Sequence, residues 1–252
     1  MRVNRYFIEL AYNGTAYHGW QRQPNALSVQ EVLEEALRKL LRESIGIVGA
    51  GRTDAGVHAR QMFAHFDVIT AQIDPRELVF LLNGFLPSDI TVKSIKRVQP
   101  TAHARFDATG RSYEYHIATR KDPFGAAFHY YLKNEPDIAL MNASAKILLS
   151  HEDFQCFSRS NTDVKTFLCN IKTAEWNVDG SSLVFSINAN RFLRNMVRAI
   201  VGTLLEIGFK KRKVEDMERV IMSKDRSQAG FSAPAHGLFL TDIQYPSNIF
   251  ID

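Results

Sequence analysis

Short stretches in which apolar and polar residues alternate recur along this chain, and they follow one another in groups rather than always being separated by helices. In 61–68 (QMFAHFDV) every second residue is apolar, and in 111–118 (RSYEYHIA) two tyrosines and an isoleucine occupy one side. A period of two is typical of strands with one buried face. The grouping therefore predicts an α+β fold whose central sheet is mostly antiparallel. Further strands are expected at 5–12, 45–50, 91–98, 171–178, 183–189 and 238–245.

Helices are predicted between these strands from their periodicity and their start signals. Ser28 with Glu31 three residues later matches a capping box, in which both side chains satisfy N–H groups at a helix start. Apolar residues then recur at helical spacing through residue 41. Asp74 followed by Pro75 marks a second helix start. Further helices are expected at 137–149, 191–208 and 214–222.

The composition is that of a soluble globular protein that needs no metal or disulfide to fold. The chain has 252 residues, of which 45% are hydrophobic and 23% charged, and a chain of this length can bury a sizeable core. Cys156 and Cys169 lack CxxC spacing and are expected to be buried thiols. Since neither a signal peptide nor a membrane span is evident, we expect a cytoplasmic protein. The net charge of +4 favours a polyanionic partner only weakly.

Residues 49–59 read GAGRTDAGVHA and combine glycines with charged residues between two predicted strands. The glycine spacing is not GxGxxG and the next element is a strand, which argues against a nucleotide-binding loop. One interpretation is a glycine-rich turn in which Asp54 is a capping residue. In the other, Arg52 and Asp54 face one ligand, and the arginine keeps the carboxylate ionised as a nucleophile. His58 is either a substrate contact or a structural histidine.

Arginines recur in the segment NRFLRNMVRAIVG, which is predicted to lie within the last long helix. Arg191, Arg194 and Arg198 have the spacing i, i+3, i+7, which places side chains in one stripe of a helix. Such a stripe is either a solvated face or a binding surface for phosphate or a carboxylate. No acidic residue lies between 180 and 205 to pair with these arginines. Arg198, the deepest in the predicted helix, is therefore the best candidate partner of Asp54.

Two further features allow both a structural and an RNA-binding interpretation. Tyr113 and Tyr115 share one side of a predicted strand, and they are either core residues or a platform on which a base stacks. The run KKRK at 210–213 follows the long helix. It either complements the helix dipole or contacts phosphate.

Six segments together resemble the tRNA pseudouridine synthase A family in their order and approximate spacing. They are YNGTAYHGWQRQP (12–24), GRTDAGVHA (51–59), RSYEY (111–115), HEDFQCFS (151–158), FLRNMVRAIVG (192–202) and APAHGLFL (233–240). The resemblance covers essentially the whole chain, and GRTDAGVHA is a highly specific motif. It implies an isomerase that converts uridine to pseudouridine at positions 38–40 of tRNA, in the anticodon arm, without a metal or another cofactor.

The resemblance also implies an architecture and partners. Family members have a pseudouridine synthase fold, a central sheet flanked by helices with two similar halves around a basic RNA-binding cleft, and they are homodimers. We therefore expect one half at 1–104 with the aspartate loop and another at 105–252 with the tyrosine strand and the arginine helix. A tRNA-binding or RNA-chaperone protein without catalysis is the alternative. A carboxylate-based hydrolase is disfavoured because the first acid after Asp54 is Asp67.

Residue roles are carried over from the resemblance motif by motif. It implies that Asp54 is the nucleophile and that Arg198 is its salt-bridge partner. It implies that Arg52 fills the space left by the flipped base and that Tyr113 packs against that base. No family role is carried onto Arg194, which stays a substrate-binding candidate on its charge. Attack at C6 of the base, attack at C1′ of the sugar and a glycal route all remain open.

Overall fold

The computed structural model describes residues 4–69, 73–159, 164–180 and 182–251. Within these ranges the chain forms nine strands and five α-helices, which confirms the predicted α+β class. The strands are β1 (Asn4–Tyr12), β2 (Ile47–Gly49), β3 (His58–Val68), β4 (Ile90–Arg97), β5 (Gly110–Ala118), β6 (Tyr130–Tyr131), β7 (Ile171–Asp179), β8 (Ser182–Ala189) and β9 (Leu238–Gln244). The helices are α1 (Val29–Leu41), α2 (Pro75–Phe85), α3 (Ile138–Ile147), α4 (Met196–Gly208) and α5 (Asp216–Ser223).

The first compact unit contains Met1–Thr109 together with Leu240–Asp252. Its strands follow the order β4-β1-β3-β9, and β2 also pairs with β3. β1 is antiparallel to β3 and to β4, as β2 is to β3. The side chain of Asn83 in α2 bonds both the N–H and the carbonyl of Val92 in β4, at 2.8 Å each. These bonds fasten the helix to the edge of the sheet.

The second compact unit is Gly110–Phe239. Its strands follow the order β5-β8-β7 in antiparallel pairs, and the short β6 runs parallel to β5. Asn142 of α3 accepts the N–H of Trp176 in β7 at 2.7 Å and donates to its carbonyl at 3.0 Å. α4 is buried along most of its length, so it forms part of the core of this unit.

Two helix starts follow the signals read from the sequence. Ser28 caps α1, and its hydroxyl oxygen accepts the N–H of Glu31 at 3.2 Å. Asp74 caps α2 by accepting the N–H groups of Arg76 and Glu77. Because a side-chain oxygen replaces the missing helical acceptor at each start, both start predictions are confirmed.

The helix predicted at 191–208 begins later than expected, at Met196. Residues 191–195 form a turn after β8, in which the N–H of Met196 donates to the carbonyl of Leu193 at 3.1 Å. Asn195 has a left-handed φ of 68°, so the chain changes direction before the helix can start. Apolar residues with helical spacing already occur in residues 191–195, so the sequence pattern placed the helix start there. The predicted start was therefore too early by more than one turn of helix.

The compact units divide the chain at a different place from the expected halves 1–104 and 105–252. The first unit extends through Thr109 and also takes the residues from Leu240 onward. The expected halves were divided by the order of the motifs along the chain. The compact units instead follow strand pairing: β9 pairs beside β3, so most of β9 belongs to the first unit. No helix in the described part of the chain is both long and apolar enough to cross a bilayer.

Candidate active site

Arg52 and Asp54 lie between β2 and β3 on residues 50–57, which we call the aspartate loop. Asp54 is half-buried and Arg52 is exposed. The carbonyl of Asp54 accepts the N–H of Val57 at 3.1 Å. Asp54 is thus the first residue of a turn that ends at Val57, so the turn interpretation and the ligand-facing interpretation are compatible.

Residues 12–24 pack against the aspartate loop and fix its backbone. The hydroxyl of Thr53, a buried residue, is hydrogen-bonded to the hydroxyl of Tyr12 at 2.8 Å. The carbonyl of Thr53 accepts the N–H of Trp20 at 3.3 Å. Trp20 itself is buried. The hydroxyl and the carbonyl of the residue before Asp54 are thus both held from residues 12–24.

Gly14 and Gly19 are two close approaches between the 12–24 segment and the aspartate loop, and Gly19 is the one with a left-handed backbone. A Cβ on Gly14 would lie 2.1 Å from the carbonyl oxygen of Val57. Gly19 has a φ of 89°, and a Cβ on it would lie 2.3 Å from the carbonyl oxygen of Thr53. An L residue meets both a strained backbone and a backbone clash here, so only glycine fits. The sequence showed the 12–24 segment only as part of the family resemblance. The supporting role could have been predicted only from the aromatic residues that stand beside glycines in this stretch, a combination typical of close packing.

His58 is a buried residue at the start of β3, only 1% exposed. Its Nδ1 accepts the N–H of Gly14 at 3.0 Å, so Nδ1 carries no proton in this arrangement. A ring enclosed in this way supports the chain around the aspartate loop. The geometry favours the structural interpretation of His58 over a direct contact with substrate.

Arg198 lies in the first turn of α4 and is half-buried. Its Nε–H donates to the carbonyl of Ala233 at 2.6 Å, and its own carbonyl accepts the N–H of Ala233 at 3.0 Å. This pair of bonds ties both the backbone and the side chain of Arg198 to one residue. It fixes the plane of the guanidinium, whose terminal nitrogens are its remaining donors.

Residues 226–237, which we call the arginine support, pack tightly on α4. A Cβ on Gly202 would lie 1.8 Å from the carbonyl oxygen of Phe231, so only glycine allows this approach. The N–H of Gly230 donates to the hydroxyl of Thr203 at 2.9 Å. The sequence motif APAHGLFL thus gains a physical role, since its first residue is Ala233, whose carbonyl accepts the Nε–H of Arg198.

The two tyrosines of β5 have different environments. Tyr115 is fully buried, and its hydroxyl donates to the carbonyl of Pro234 at 2.8 Å; burial raises the pKa of this phenol. Tyr113 is half-buried, and its ring meets that of Phe192 edge-on at 5.2 Å and 89°. Tyr115 is therefore a core residue, and Tyr113 is the one whose ring is partly accessible.

Arg191 and Arg194 do not lie on the helix that carries Arg198. Both precede Met196, where α4 begins, and Asn195 turns the chain between them and the helix. The prediction of a single arginine stripe is therefore wrong. Arg194 is exposed, and its carbonyl accepts the N–H of Arg159 at 3.0 Å, which joins this turn to the segment after HEDFQCFS.

The KKRK run mainly serves to end α4. Lys210 adopts a left-handed φ of 59°, and the N–H of Lys211 donates to the carbonyl of Glu206 at 2.9 Å. Arg212 donates to the Glu206 carboxylate at 2.6 Å and to the carbonyl of Gln228 at 2.8 Å. These bonds are those of a helix C-terminus, so the structure favours the interpretation of this run as a complement to the helix dipole over a phosphate contact.

Cys156 and Cys169 are both buried free thiols, as predicted. Burial raises the pKa of Cys156 to about 12 and that of Cys169 to about 11, so neither is a reactive thiolate. Among the residues that the structure describes, no three histidine, cysteine, aspartate or glutamate side chains are grouped so as to hold a metal ion.

Comparison with known proteins identifies related sequences along the whole chain. The protein family described as tRNA pseudouridine synthase matches residues 10–107 and 145–246. A protein of Bacteroides fragilis named tRNA pseudouridine synthase A is 52% identical over 251 residues, which cover 99% of this chain and 100% of the relative. Proteins of the same name are 51% identical in Parabacteroides distasonis, covering 98% of each chain, and 48% identical in Porphyromonas gingivalis, covering 98% and 99%.

Proposed function

The chain belongs to the tRNA pseudouridine synthase family, and we propose that it acts at positions 38–40 of tRNA, in the anticodon arm. Its activity is the isomerisation of uridine in tRNA. The bond between N1 and C1′ breaks, the base turns, and C5 bonds to C1′. The proton lost from C5 is balanced by one taken up at N1, so no oxidant or reductant is needed. The observation that carries this conclusion is a family match that spans both the aspartate loop and α4.

Asp54 is the proposed nucleophile. This proposal is supported by the position of Asp54 on the aspartate loop. The preceding residue, Thr53, is fixed through both its hydroxyl and its carbonyl. A reacting group has to be held close to its productive position, and a loop fixed from outside provides this. The carboxylate attacks C6 of the base or C1′ of the sugar, or assists proton removal on a glycal route.

Arg198 is the proposed ion-pair partner of Asp54. The Nε bond to the carbonyl of Ala233 holds the guanidinium in one orientation. A planar guanidinium offers parallel N–H donors that match the two oxygens of a carboxylate. In this role Arg198 keeps the nucleophile ionised and oriented until the target base arrives.

Arg52 and Tyr113 are proposed to stabilise a uridine that has left its stack. Extruding a base costs a few kcal/mol. Arg52 is exposed and lies two residues before Asp54, so it can enter the vacated space when the loop meets RNA. The partly accessible ring of Tyr113 packs against the extruded base. Arg194, which is also exposed, contacts a phosphate.

His58 contributes to the proposed site indirectly, by supporting the aspartate loop through Gly14. We further propose that the enzyme is a homodimer, as the family resemblance implies, and that it works in the cytoplasm. Sedimentation of the purified chain tests the dimer.

A tritium-release assay tests the function against the alternative of an RNA-binding protein without catalysis. The purified chain is mixed with tRNA that carries tritium at C5 of uridine, and tritium is released only when C5 forms the new glycosidic bond. We expect release, and we expect pseudouridine sequencing to place the product at positions 38–40. A chain that binds this tRNA and releases no tritium would be an RNA-binding protein of the alternative kind.

The salt dependence of tRNA binding gives a second test. Contacts to phosphate release counterions, so the Kd should rise steeply between about 50 and 200 mM salt. A Kd that is independent of salt would contradict a basic RNA-binding surface.

A further inference from the structure

Phe106 is an exposed aromatic residue on a rigid turn. Its side chain is 74% exposed. Its N–H donates to the carbonyl of His103 at 3.1 Å, and the N–H of Asp107 donates to the same carbonyl at 3.0 Å. In return, the carboxylate of Asp107 accepts the N–H of His103 at 2.7 Å. An accessible phenylalanine is thus fixed by the backbone on both sides.

Behind Phe106, a series of rings leads from the surface to the core of the first unit. The ring of His103 lies 4.2 Å from that of Phe106, with a tilt of 33°. His65 lies 4.6 Å from His103, and Phe7 lies 6.2 Å from His65. His65 and Phe7 are both buried. The series fixes the orientation of Phe106 and covers part of one side of its ring.

The backbone under this series of rings is also fixed. Nδ1 of His65 accepts the N–H of Ala104 at 3.2 Å, and the carbonyl of Ala104 accepts the hydroxyl of Tyr245. Arg5 donates to the carbonyl of Ala102 at 3.0 Å. Burial, aided by the nearby charge of Arg5, lowers the pKa of His65 to about 4. The ring of His65 is therefore neutral at pH 7, and the arrangement is already formed there.

Arg105 places a positive charge over the exposed ring. It is exposed, and the centre of its guanidinium lies 5.7 Å from the centroid of Phe106. Proteins that bind unpaired nucleotides combine an aromatic face, on which a base stacks, with arginines that contact the backbone. A fixed ring also loses little conformational entropy when a base stacks on it.

The turn with Phe106 is far from Asp54 within the first unit. The carbonyl of Asp54 accepts the N–H of Val57, next to His58 where β3 begins, and His65 lies seven residues further along the strand. At about 3.3 Å per residue, this separation is about 20 Å. A nucleotide on Phe106 is therefore not the target uridine, and it belongs to another part of the RNA.

We propose that Phe106 and Arg105 form a second tRNA contact, in which an unpaired base outside the anticodon arm stacks on Phe106 and Arg105 holds its phosphate. This inference rests on the proposed action of the chain on tRNA. It differs from the site around Asp54 because it selects and anchors the substrate and takes no part in bond making.

Steady-state kinetics on two RNAs test this contact. The substrates are a full-length tRNA transcript and its isolated anticodon stem-loop. With the full-length tRNA, Phe106→Leu should raise KM about tenfold, since stacking of one base is worth about 1–3 kcal/mol. Phe106→Trp, which keeps an aromatic face, should stay close to wild type. On the stem-loop, Phe106→Leu should have little effect.

Phe80→Leu is the matched control, because Phe80 is 77% exposed and lies in α2 of the same unit. It should leave KM unchanged. An unchanged KM in Phe106→Leu, an equal rise in Phe80→Leu, or an equal rise on the stem-loop would overturn the inference. So would a shift of Phe106→Leu from dimer to monomer, which would make this surface an interface between copies. Absence of turnover by the wild-type chain on both RNAs would overturn the proposed function as well.

Discussion

The aspartate loop and the start of α4 are supported by the same kind of contact but depend on it differently. In each, a glycine lets a second segment approach a backbone carbonyl: Gly19 meets Thr53, and Gly202 meets Phe231. The loop has no repeating hydrogen bonds of its own, so residues 12–24 determine its backbone. The backbone of α4 is already held by its own helical hydrogen bonds. Residues 226–237 therefore have only to orient the side chain of Arg198. The proposed nucleophile, which lies on a loop, thus depends on distant sequence more than the proposed partner on a helix does.

Gly19→Ala should produce the largest effect in this comparison. The new Cβ would lie 2.3 Å from the Thr53 carbonyl oxygen, at a φ of 89°, and the loop would have to move. We expect a loss of about 3 kcal/mol in the free energy of unfolding, and little turnover even where the chain folds. Chemical denaturation and tritium release measure the two effects. Gly51→Ala is the control, since a Cβ there has no neighbour within 4 Å.

Gly51→Ala should remain as stable as wild type. If Gly19→Ala behaved like this control, the 12–24 segment would not determine the backbone of the aspartate loop, and the contrast between the two regions would fail.

Arg198→Ala should come next, with an effect on turnover rather than on folding. Loss of a positive group beside a reacting carboxylate typically lowers kcat by about 100-fold or more. Arg198→Lys should recover little, because a lysine lacks the Nε donor that bonds Ala233 and the planar pair of terminal donors. Single-turnover rates check this. A double variant with Asp54→Asn should be no slower than Asp54→Asn alone, because residues that act as one unit, as proposed for this pair, have non-additive effects.

If Arg198→Lys were as fast as wild type, the planar guanidinium would be unnecessary. If the two substitutions lowered the single-turnover rate additively, the two residues would act independently, which would contradict the ion pair.

The tyrosines of β5 should give the smallest and most selective effects. Tyr113→Leu removes the ring proposed to lie against the target base, and kcat should fall about tenfold with stability little changed. Tyr115→Phe removes the bond to the carbonyl of Pro234, and the free energy of unfolding should fall by about 1 kcal/mol, with a smaller change in kcat. Thermal unfolding and tritium release distinguish the two. If Tyr115→Phe mainly lowered kcat and Tyr113→Leu mainly lowered the free energy of unfolding, the base contact would belong to Tyr115.

Most of the architecture could be predicted from local patterns. Strand alternation and the caps at Ser28 and Asp74 depend on residues close in sequence, and both were confirmed. The start of α4 was missed because Asn195 has a left-handed backbone, which the helical spacing of the apolar residues does not reveal. β6 was missed because two residues carry no period.

The candidate site was only partly accessible to sequence reasoning. The motif residues could be named because the segments resemble a family, but what holds them could not. The bonds from Tyr12 and Trp20 to Thr53, and from Ala233 to Arg198, join positions at least 30 residues apart in the chain. Such pairings follow from tertiary packing, which no local pattern specifies.

Replacement of one carboxylate by an amide is the most direct test of the account. Asp54→Asn keeps the shape of the side chain, and tritium release from C5 of tRNA uridine should fall to background while tRNA binding and thermal unfolding stay close to wild type. Asp179→Asn, an exposed aspartate at the end of β7, serves as the matched control and should release tritium at the wild-type rate. Appreciable release by Asp54→Asn would contradict the assignment of this carboxylate as the nucleophile.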